Sequence, residues 1–397
     1  MAHQRHYDHQ RRACGLPPSH LALMLTSTRT HQPSMLTSTF AYDQCMTSQE
    51  GAADKRTRSA PSQVDVARLA KVSGQTVSRV ANGSASVSPG TRQRVLEAMA
   101  AVGYSTNSAA RALRSGTFDT LGVIVHKLAR TGESRIVEAV VAAAHRAHHI
   151  VTVVDLETSS NQELAEAATR LSHQAIDGLI IIRAELARTS DLSLPHGLPV
   201  VVSDSQFFGN MPAVGSDQTS GPRAAVEHLL DLGHRTVHLL AGPADSVPAS
   251  TRHESWAATL ADHGREAPAP IRGDWTAASG YAAGQLIAND PSVTAVFSAN
   301  DEMAAGLYLA LRERGIRIPE DISVVGFDDV PLAAYLWPPL TTVRQDFDAI
   351  GHELVASLLA QIAGEATAQD ATKLIPTELV IRHSTAQPSP RSIHRPA

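Results

Sequence analysis

The chain has 397 residues, 43% of them hydrophobic and 18% charged, with a net charge of −5 and two cysteines. Such a length holds two or three domains, and no apolar run approaches the ~20 residues of a membrane span. Cys14 and Cys45 both fall in the first 60 residues, so no disulfide framework holds the remainder, which suits a reducing cytoplasm.

The charge is unevenly spread. Residues 61–116 carry seven lysines and arginines against Asp65 and Glu97, a net +5; residues 1–60 carry +3, which leaves −13 on residues 117–397. A small basic unit on a large acidic body suits a DNA-binding head whose body is repelled by the same polyanion.

Residues 1–60 are rich in His, Gln, Ser, Thr and Arg and have no sustained periodicity, which predicts a disordered extension. The preferred reading is a translation start further downstream, at Met46 or another position; the alternative is a basic tail that adds non-specific DNA affinity. The apolar patch Leu21 to Leu25 is too brief for a secretion signal, and the histidines lack metal-ligand spacing.

Residues 61–106 predict three short helices. Val66, Leu69 and Ala70 share one apolar face. Ser73 offers a cap to a second helix, in which Val77 and Val80 face inward. Ser88 caps a third, with Pro89 its first residue, Val95, Met99 and Val102 its buried face and Gly103 its stop. This is the helix-turn-helix plan, which lays its second helix in the major groove. A Gln75 amide can pair with adenine and the Arg79 guanidinium with guanine. Ser73, Thr76, Ser78 and the free N–H groups of the helix start suit phosphates. Without further likeness, a plain three-helix core with solvated polar residues stays open as the alternative.

The segments DVARLAKVSGQTVSRVANG, VSPGTRQRVLEAMAAVGY and NSAARALRSG resemble the headpiece of the lactose/galactose repressor (LacI/GalR) family almost without gaps. That resemblance implies a DNA-facing set of Ser73, Gly74, Gln75, Thr76, Ser78, Arg79 and Asn82. Gly74 departs from many relatives, which carry a base-reading side chain there. Residues 107–116 would be a hinge helix that folds only on operator DNA, with Asn107, Ala110 and Leu113 at the DNA and Leu113 the minor-groove wedge. The eight residues Asn107 to Arg114 are too few to hold a helix alone in water, and an apolar wedge can kink DNA when other contacts offset the unstacking. A plain linker helix is the alternative.

From Thr117 the pattern alternates strand and helix. LGVIVH (121–126), IVTVVD (150–155), DGLIII (177–182) and LPVVVSD (198–204) form one series; TVHLLAG (236–242), VTAVFSAND (293–301) and ISVVGFDD (322–329) form another. Helices run through Ile136, Val140 and Ala144, around Leu164 to Leu171, from Thr251, and to Arg314. Continuous apolar strands between amphipathic helices predict parallel sheets covered on both faces. The fold class expected is an all-α headpiece and hinge helix joined to an α/β body (117–382) of two Rossmann-like lobes, similar to periplasmic binding proteins. The resemblance runs to about Arg382 and is strongest at GDWTAASG, SANDEMAAG and PPLTTVRQDF, where the body looks most like lactose-type repressors. It implies crossings between the lobes near Ser216, Gln345 and Ile375, with residues 383–397 a disordered tail.

Ligands of such bodies sit beyond the carboxyl ends of the strands, in the cleft between lobes. His126, Asp204, Arg252, Trp275, Asn300 and Asp328 fall there. Carboxylates and amides suit vicinal hydroxyls, a guanidinium adds donors, and an indole packs a sugar's C–H face. All but His126 match sugar-contacting positions of the family; His126, at the end of the first strand, is better read as a solvated strand end. Asp204 and Asp328 are alternatively loop caps, Trp275 lobe core and Arg252 a salt-bridge partner. The loop HKLARTGES is cationic, so Lys127, Arg130 or Arg135 are candidates to receive a phosphate or carboxylate.

The function expected is a cytoplasmic, nucleoid-associated transcriptional repressor, a homodimer on a palindromic double-stranded operator, released by a small galactoside-like sugar. Corepressor logic, with a purine or sugar phosphate, is the alternative within the family. No cofactor, metal or membrane is implied. The chain shows no phosphate loop, H-E-x-x-H or G-x-S-x-G elbow of an enzyme. A free-standing sugar-transport protein would carry a signal peptide and no DNA head. After Arg382 no leucine heptads follow, so a dimer is expected rather than a coiled-coil tetramer.

Overall fold

Three short helices open the described chain: α1 (Gln63–Ala70), α2 (Gly74–Ala81) and α3 (Pro89–Val102). The computed structural model describes residues 61–81, 84–104, 117–158, 160–182, 194–203, 211–365 and 372–389. The extension 1–60, Asn82, the hinge positions Asn107, Ala110 and Leu113, and Asp204 lie outside the described residues.

The Ser62 amide donates to the Asp65 carboxylate at 3.0 Å and the Asp65 amide donates back to Ser62 Oγ at 3.4 Å, a reciprocal cap on α1. Ser73 caps α2, its Oγ accepting from the Thr76 amide at 3.1 Å. Ser88 stands at the start of α3, but its hydroxyl bonds that of Thr91 at 3.0 Å rather than the backbone. Gly103 ends α3 with φ +66°. Val66, Ala70, Val77, Val80, Val95 and Ala98 form the core of this unit. Leu69, expected beside Val66 and Ala70, is instead 52% exposed. One residue is about 100° of helix rotation, which carries Leu69 off the face that Val66 and Ala70 define.

The body contains two six-stranded sheets. The first runs β11-β5-β4-β3-β1-β2, from β1 (Thr120–His126), β2 (Ile150–Leu156), β3 (Gly178–Ile182), β4 (Val200–Ser203), β5 (Ala213–Ser216) and β11 (Lys373–Ile375), all parallel. The second runs β12-β10-β9-β8-β6-β7, from β6 (His238–Ala241), β7 (Ile271–Arg272), β8 (Ala295–Ser298), β9 (Ser323–Asp328), β10 (Thr341–Arg344) and β12 (Glu378–Val380). Only β12 is antiparallel, to β10. β3 and β4 are buried along their whole length, as the apolar runs predict for a sheet covered on both faces.

Helices α4 (Thr131–Arg146), α5 (Asn161–His173) and α10 (Phe347–Ile362) cover the first sheet; α6 (Ser220–Asp231), α7 (Val247–Asp262), α8 (Ala277–Ala288) and α9 (Asp301–Glu313) cover the second. The chain therefore passes between lobes three times: from β5 to α6, from β10 to α10 and from β11 to β12. The first and third passages lie side by side, the Asp217 amide donating to the Ile375 carbonyl at 2.8 Å. Helices α8 and α9 meet backbone to backbone: a Cβ on Gly306 would fall 1.9 Å from the Ala277 carbonyl oxygen.

One expectation needs correction. Residues 383–389 are not a free tail: Ser384 is fully buried, accepts from the Thr341 amide at 2.7 Å, and is followed by Ala386, whose amide donates to Ser323 Oγ at 3.0 Å. The segment is polar, so periodicity misses it, yet it satisfies backbone groups at the amino-terminal ends of β9 and β10. On the same lobe Leu332, Tyr335 and Trp337 stand 53%, 83% and 89% exposed around a short 3-10 helix (Pro331–Tyr335).

Candidate functional site

Two surfaces carry the residues singled out by the sequence. On α2, Val77 and Val80 are buried, Gln75 and Arg79 are exposed one turn apart, and Thr76 and Ser78 are half-buried. Gly74 is the first residue of α2, its carbonyl accepting from Gln63 Nε2 at 2.6 Å, which ties α2 to α1. Ser73 Oγ lies 2.9 Å from Thr76 Oγ1. The exposed edge of α2 thus presents an amide, a guanidinium and hydroxyls along one strip.

The second surface is a cleft, partly open to solvent, between the two lobes of the body. Arg252, Trp275, Asn300 and Asp328 line it from the second lobe; Arg130, Glu133, Ile136 and Ile182 line it from the first, and Gln345 and Phe347 from the second passage between them.

Asp328 ends β9 with φ +112°, and Asp329 follows with φ +53°. This sharp turn is held from behind: the Asp329 carboxylate accepts from Arg344 Nε at 2.8 Å and Arg382 Nη2 at 2.6 Å. Asp301, on the first turn of α9, accepts from the Val330 amide at 2.9 Å and the Thr342 hydroxyl at 2.6 Å. Burial, with Asp328 nearby, pushes the Asp301 carboxyl well above the usual carboxylate range.

Arg252, on α7, is 5% exposed. Its Nε donates to Gln218 Oε1 at 2.7 Å; Gln218 Nε2 donates to Gln345 Oε1 at 3.2 Å; Gln345 Nε2 donates to Asp328 Oδ1 at 2.7 Å. Arg252 Nη1 closes the ring, 3.7 Å from Asp328 Oδ1. The guanidinium also donates to the Ala299 carbonyl and stacks 3.7 Å above the Phe327 ring, with Trp275 at 5.5 Å. The four side chains of the ring are held by one another, so little ordering cost remains for a ligand.

Trp275 has φ +78°, a conformation its neighbours impose: Asn300 Nδ2 donates to its carbonyl at 2.9 Å. The Asn300 Oδ1 meanwhile accepts from the Met303 amide at 2.9 Å and caps α9. The indole lies over Gly242, where a Cβ would meet Cη2 at 2.4 Å. Gly242 is thus the floor that admits the ring.

Four of the six sequence candidates therefore meet in one cavity, and each also has a structural duty. His126 ends β1, 2% exposed, and does not line the cavity. Among the cationic loop residues, Lys127 is exposed, Arg135 pairs with Glu138 at 2.9 Å, and Arg130 alone lines the cavity, paired with Glu133 at 3.5 Å. Sequence reasoning missed Gln218, Gln345 and Glu133 as site residues. Thr131 Oγ1, beside Glu133, donates across the cleft to the Glu302 carboxylate.

Comparison with known proteins adds the following. Residues 64–107 match the family model "Bacterial regulatory proteins, lacI family", and residues 226–385 match "Periplasmic binding protein-like domain". The lactose operon repressor of Escherichia coli (strain K12) is 36% identical over 344 residues, covering 83% of this chain and 93% of the repressor. A crystal structure of the lac repressor dimer bound to operator and the anti-inducer ONPF aligns with TM-score 0.72 at 34% identity, covering 83% of this chain and all of the other. A transcriptional regulator CelR–cellobiose complex aligns with TM-score 0.59 at 31% identity, covering 82% and 99%.

Proposed function

The chain belongs to the lacI family of bacterial regulatory proteins, and from that premise we propose a transcriptional repressor that leaves its operator when a small neutral, galactoside-like sugar fills the cleft. It is a DNA-binding regulator and not an enzyme. In this reading residues 61–106 are the DNA-binding head, 107–116 the hinge and 117–389 the effector-binding and dimerisation body. α2 lies in the major groove, with Gln75 and Arg79 at base edges and Ser73, Gly74, Thr76 and Ser78 at the backbone. Asn82, Asn107, Ala110 and Leu113 complete the DNA set. Two copies on a two-fold axis match a palindrome in the cytoplasm, on the nucleoid.

The observation that carries the effector assignment is the ring of Arg252, Gln218, Gln345 and Asp328 under the Trp275 indole. A guanidinium and a carboxylate side by side donate to and accept from neighbouring hydroxyls, while the indole takes the apolar face of the sugar. Asp204 joins this set in the proposal. A sugar that touches both lobes favours their closed arrangement, and that difference in affinity is what can change DNA binding. The test is to select an operator from random duplex DNA with the full chain, then titrate a panel of neutral sugars. Release by at least one sugar is expected; operator affinity indifferent to all of them defeats the inducer reading.

A further inference from the structure

The three passages join the lobes covalently, and those links persist however far apart the lobes swing. A hydrogen bond between the lobes belongs to none of them. Thr131 is the first residue of α4 on the first lobe, and its hydroxyl donates to the carboxylate of Glu302, on the first turn of α9 of the second. Thr131 borders the cleft, whereas Glu302 stands outside its lining. Both residues are half-buried. The bond therefore spans the lobes beside the ligand space without filling it.

Its electrostatics favour closure. Two helix amino-termini meet here, and each presents the positive end of its dipole. The Glu302 carboxylate sits at the positive end of its own helix and takes the hydroxyl at the start of the other, so one negative charge serves both. A hydrogen bond to a carboxylate is stronger than a neutral one, yet it is gone once donor and acceptor part beyond about 3.5 Å. It adds its free energy only to an arrangement in which the starts of α4 and α9 are in reach, and so shifts the lobes toward that arrangement.

We infer that the Thr131–Glu302 bond is a latch, which holds the cleft closed before any effector arrives and so sets how firmly the effector-free chain grips its operator. This rests on the reading that closing the lobes releases DNA. The latch pulls in the direction that the sugar pulls, and breaking it leaves the open, operator-holding arrangement more populated.

The experiment needs no effector. Operator duplex selected with the full chain is titrated, without sugar, against the unaltered chain, Thr131→Val, Glu302→Ala, the double variant and Glu302→Gln. Valine keeps the shape of threonine and removes the hydroxyl donor without changing charge. Each of the first two variants binds operator about three- to tenfold more tightly. The double variant binds no more tightly than either, because both substitutions remove one bond. Glutamine keeps an acceptor, so Glu302→Gln falls between the unaltered chain and Glu302→Ala, which separates the bond from the lost charge.

A gain of affinity is a result that misfolding cannot imitate. Unaltered operator affinity in Thr131→Val, with its melting temperature showing a folded body, overturns the latch and leaves the inducer reading standing. Gains that multiply in the double variant overturn it too, since the residues then act separately. Weaker binding by one common factor in both single variants and the double overturns the latch together with the inducer reading, because the closed cleft is then the DNA-binding arrangement.

Discussion

Gln218 and Gln345 lie on two different passages between the lobes, and their side-chain amides are hydrogen-bonded at 3.2 Å. Each then reaches one member of the buried ion pair, Gln218 to Arg252 and Gln345 to Asp328. The passages between the lobes and the binding site thus share side chains, and relative motion of the passages changes the geometry offered to a ligand.

Gln218→Leu removes both of its bonds and strands the Arg252 Nε and Gln345 Oε1 partners in the interior. Leaving buried polar groups unpaired costs about 1–3 kcal/mol. The expected result is a lower melting temperature together with a shallower sugar response in operator release. Full stability, measured by thermal shift, with an unaltered response would remove the ring from the mechanism.

Arg252→Ala is expected to keep operator affinity and lose release by sugar. It also strips Asp328 of its buried counter-charge, a change that typically costs about 3–5 kcal/mol. The body should therefore melt earlier while the head still binds DNA. Loss of DNA binding at a temperature where the body is folded would make Arg252 a purely structural residue.

Gly242→Ala puts a methyl where Trp275 Cη2 lies 2.4 Å away. The indole must move, at the roughly 1–3 kcal/mol of an overpacked core. Trp275 is one of three tryptophans; Trp256 is buried and Trp337 is far out on the surface. A sugar-dependent fluorescence change seen in the unaltered chain should vanish in this variant, and its persistence would place the signal elsewhere.

His228, His234 and His238 are all held below the ordinary histidine value by burial. His234 is nearly inaccessible, its ring nitrogens 3.0 Å from Thr294 Oγ1 and from the Ala386 carbonyl. A lowered folded value means the unfolded chain takes up protons that the fold refuses. Their stabilising effect is therefore present above about pH 6.5 and is lost as the pH falls below it. Asp301, raised by burial, acts with the opposite sign at acidic pH. Comparing melting temperatures of the unaltered chain and His234→Gln cancels the Asp301 contribution. The variant should show a flatter fall between about pH 7.5 and 5.5, and an identical slope would refute the assignment.

Trp337→Arg places a charge on the exposed patch with Tyr335 and Leu332. Three large apolar side chains this exposed within six residues are the expected seat of a contact between copies. Sedimentation should show the unaltered chain as a dimer and the variant as a monomer, with operator affinity sharply reduced. A dimeric variant would move the interface elsewhere on the body.

What the sequence made legible follows from where physical signals are strong. β1, β3, β4 and β9 hold Val/Ile/Leu runs, and the caps and stops of the head are local chemistry. Helix α8, AASGYAAGQLIA, has small residues on every side, because its neighbour α9 approaches to backbone contact, so no amphipathic stripe betrays it. β7 spans two residues and β10 four, too short for alternation to register. In the site, Trp275 and Arg252 stand out by type, whereas Gln218 and Gln345 are uncharged residues in connections. Glu133 reads as a solvated helix-face residue, since nothing local says that the opposite lobe covers it.

The first sheet receives its last strand, Lys373–Ile375, and its helix Phe347–Ile362 only after the whole second sheet except β12 has been made. On the ribosome the amino-terminal half must therefore wait, unfinished, for segments synthesised some 150 residues later. Truncation anywhere before Ile375 would injure both halves at once, and a chaperone would meet the longest-lived exposed apolar surface on the lobe that is made first.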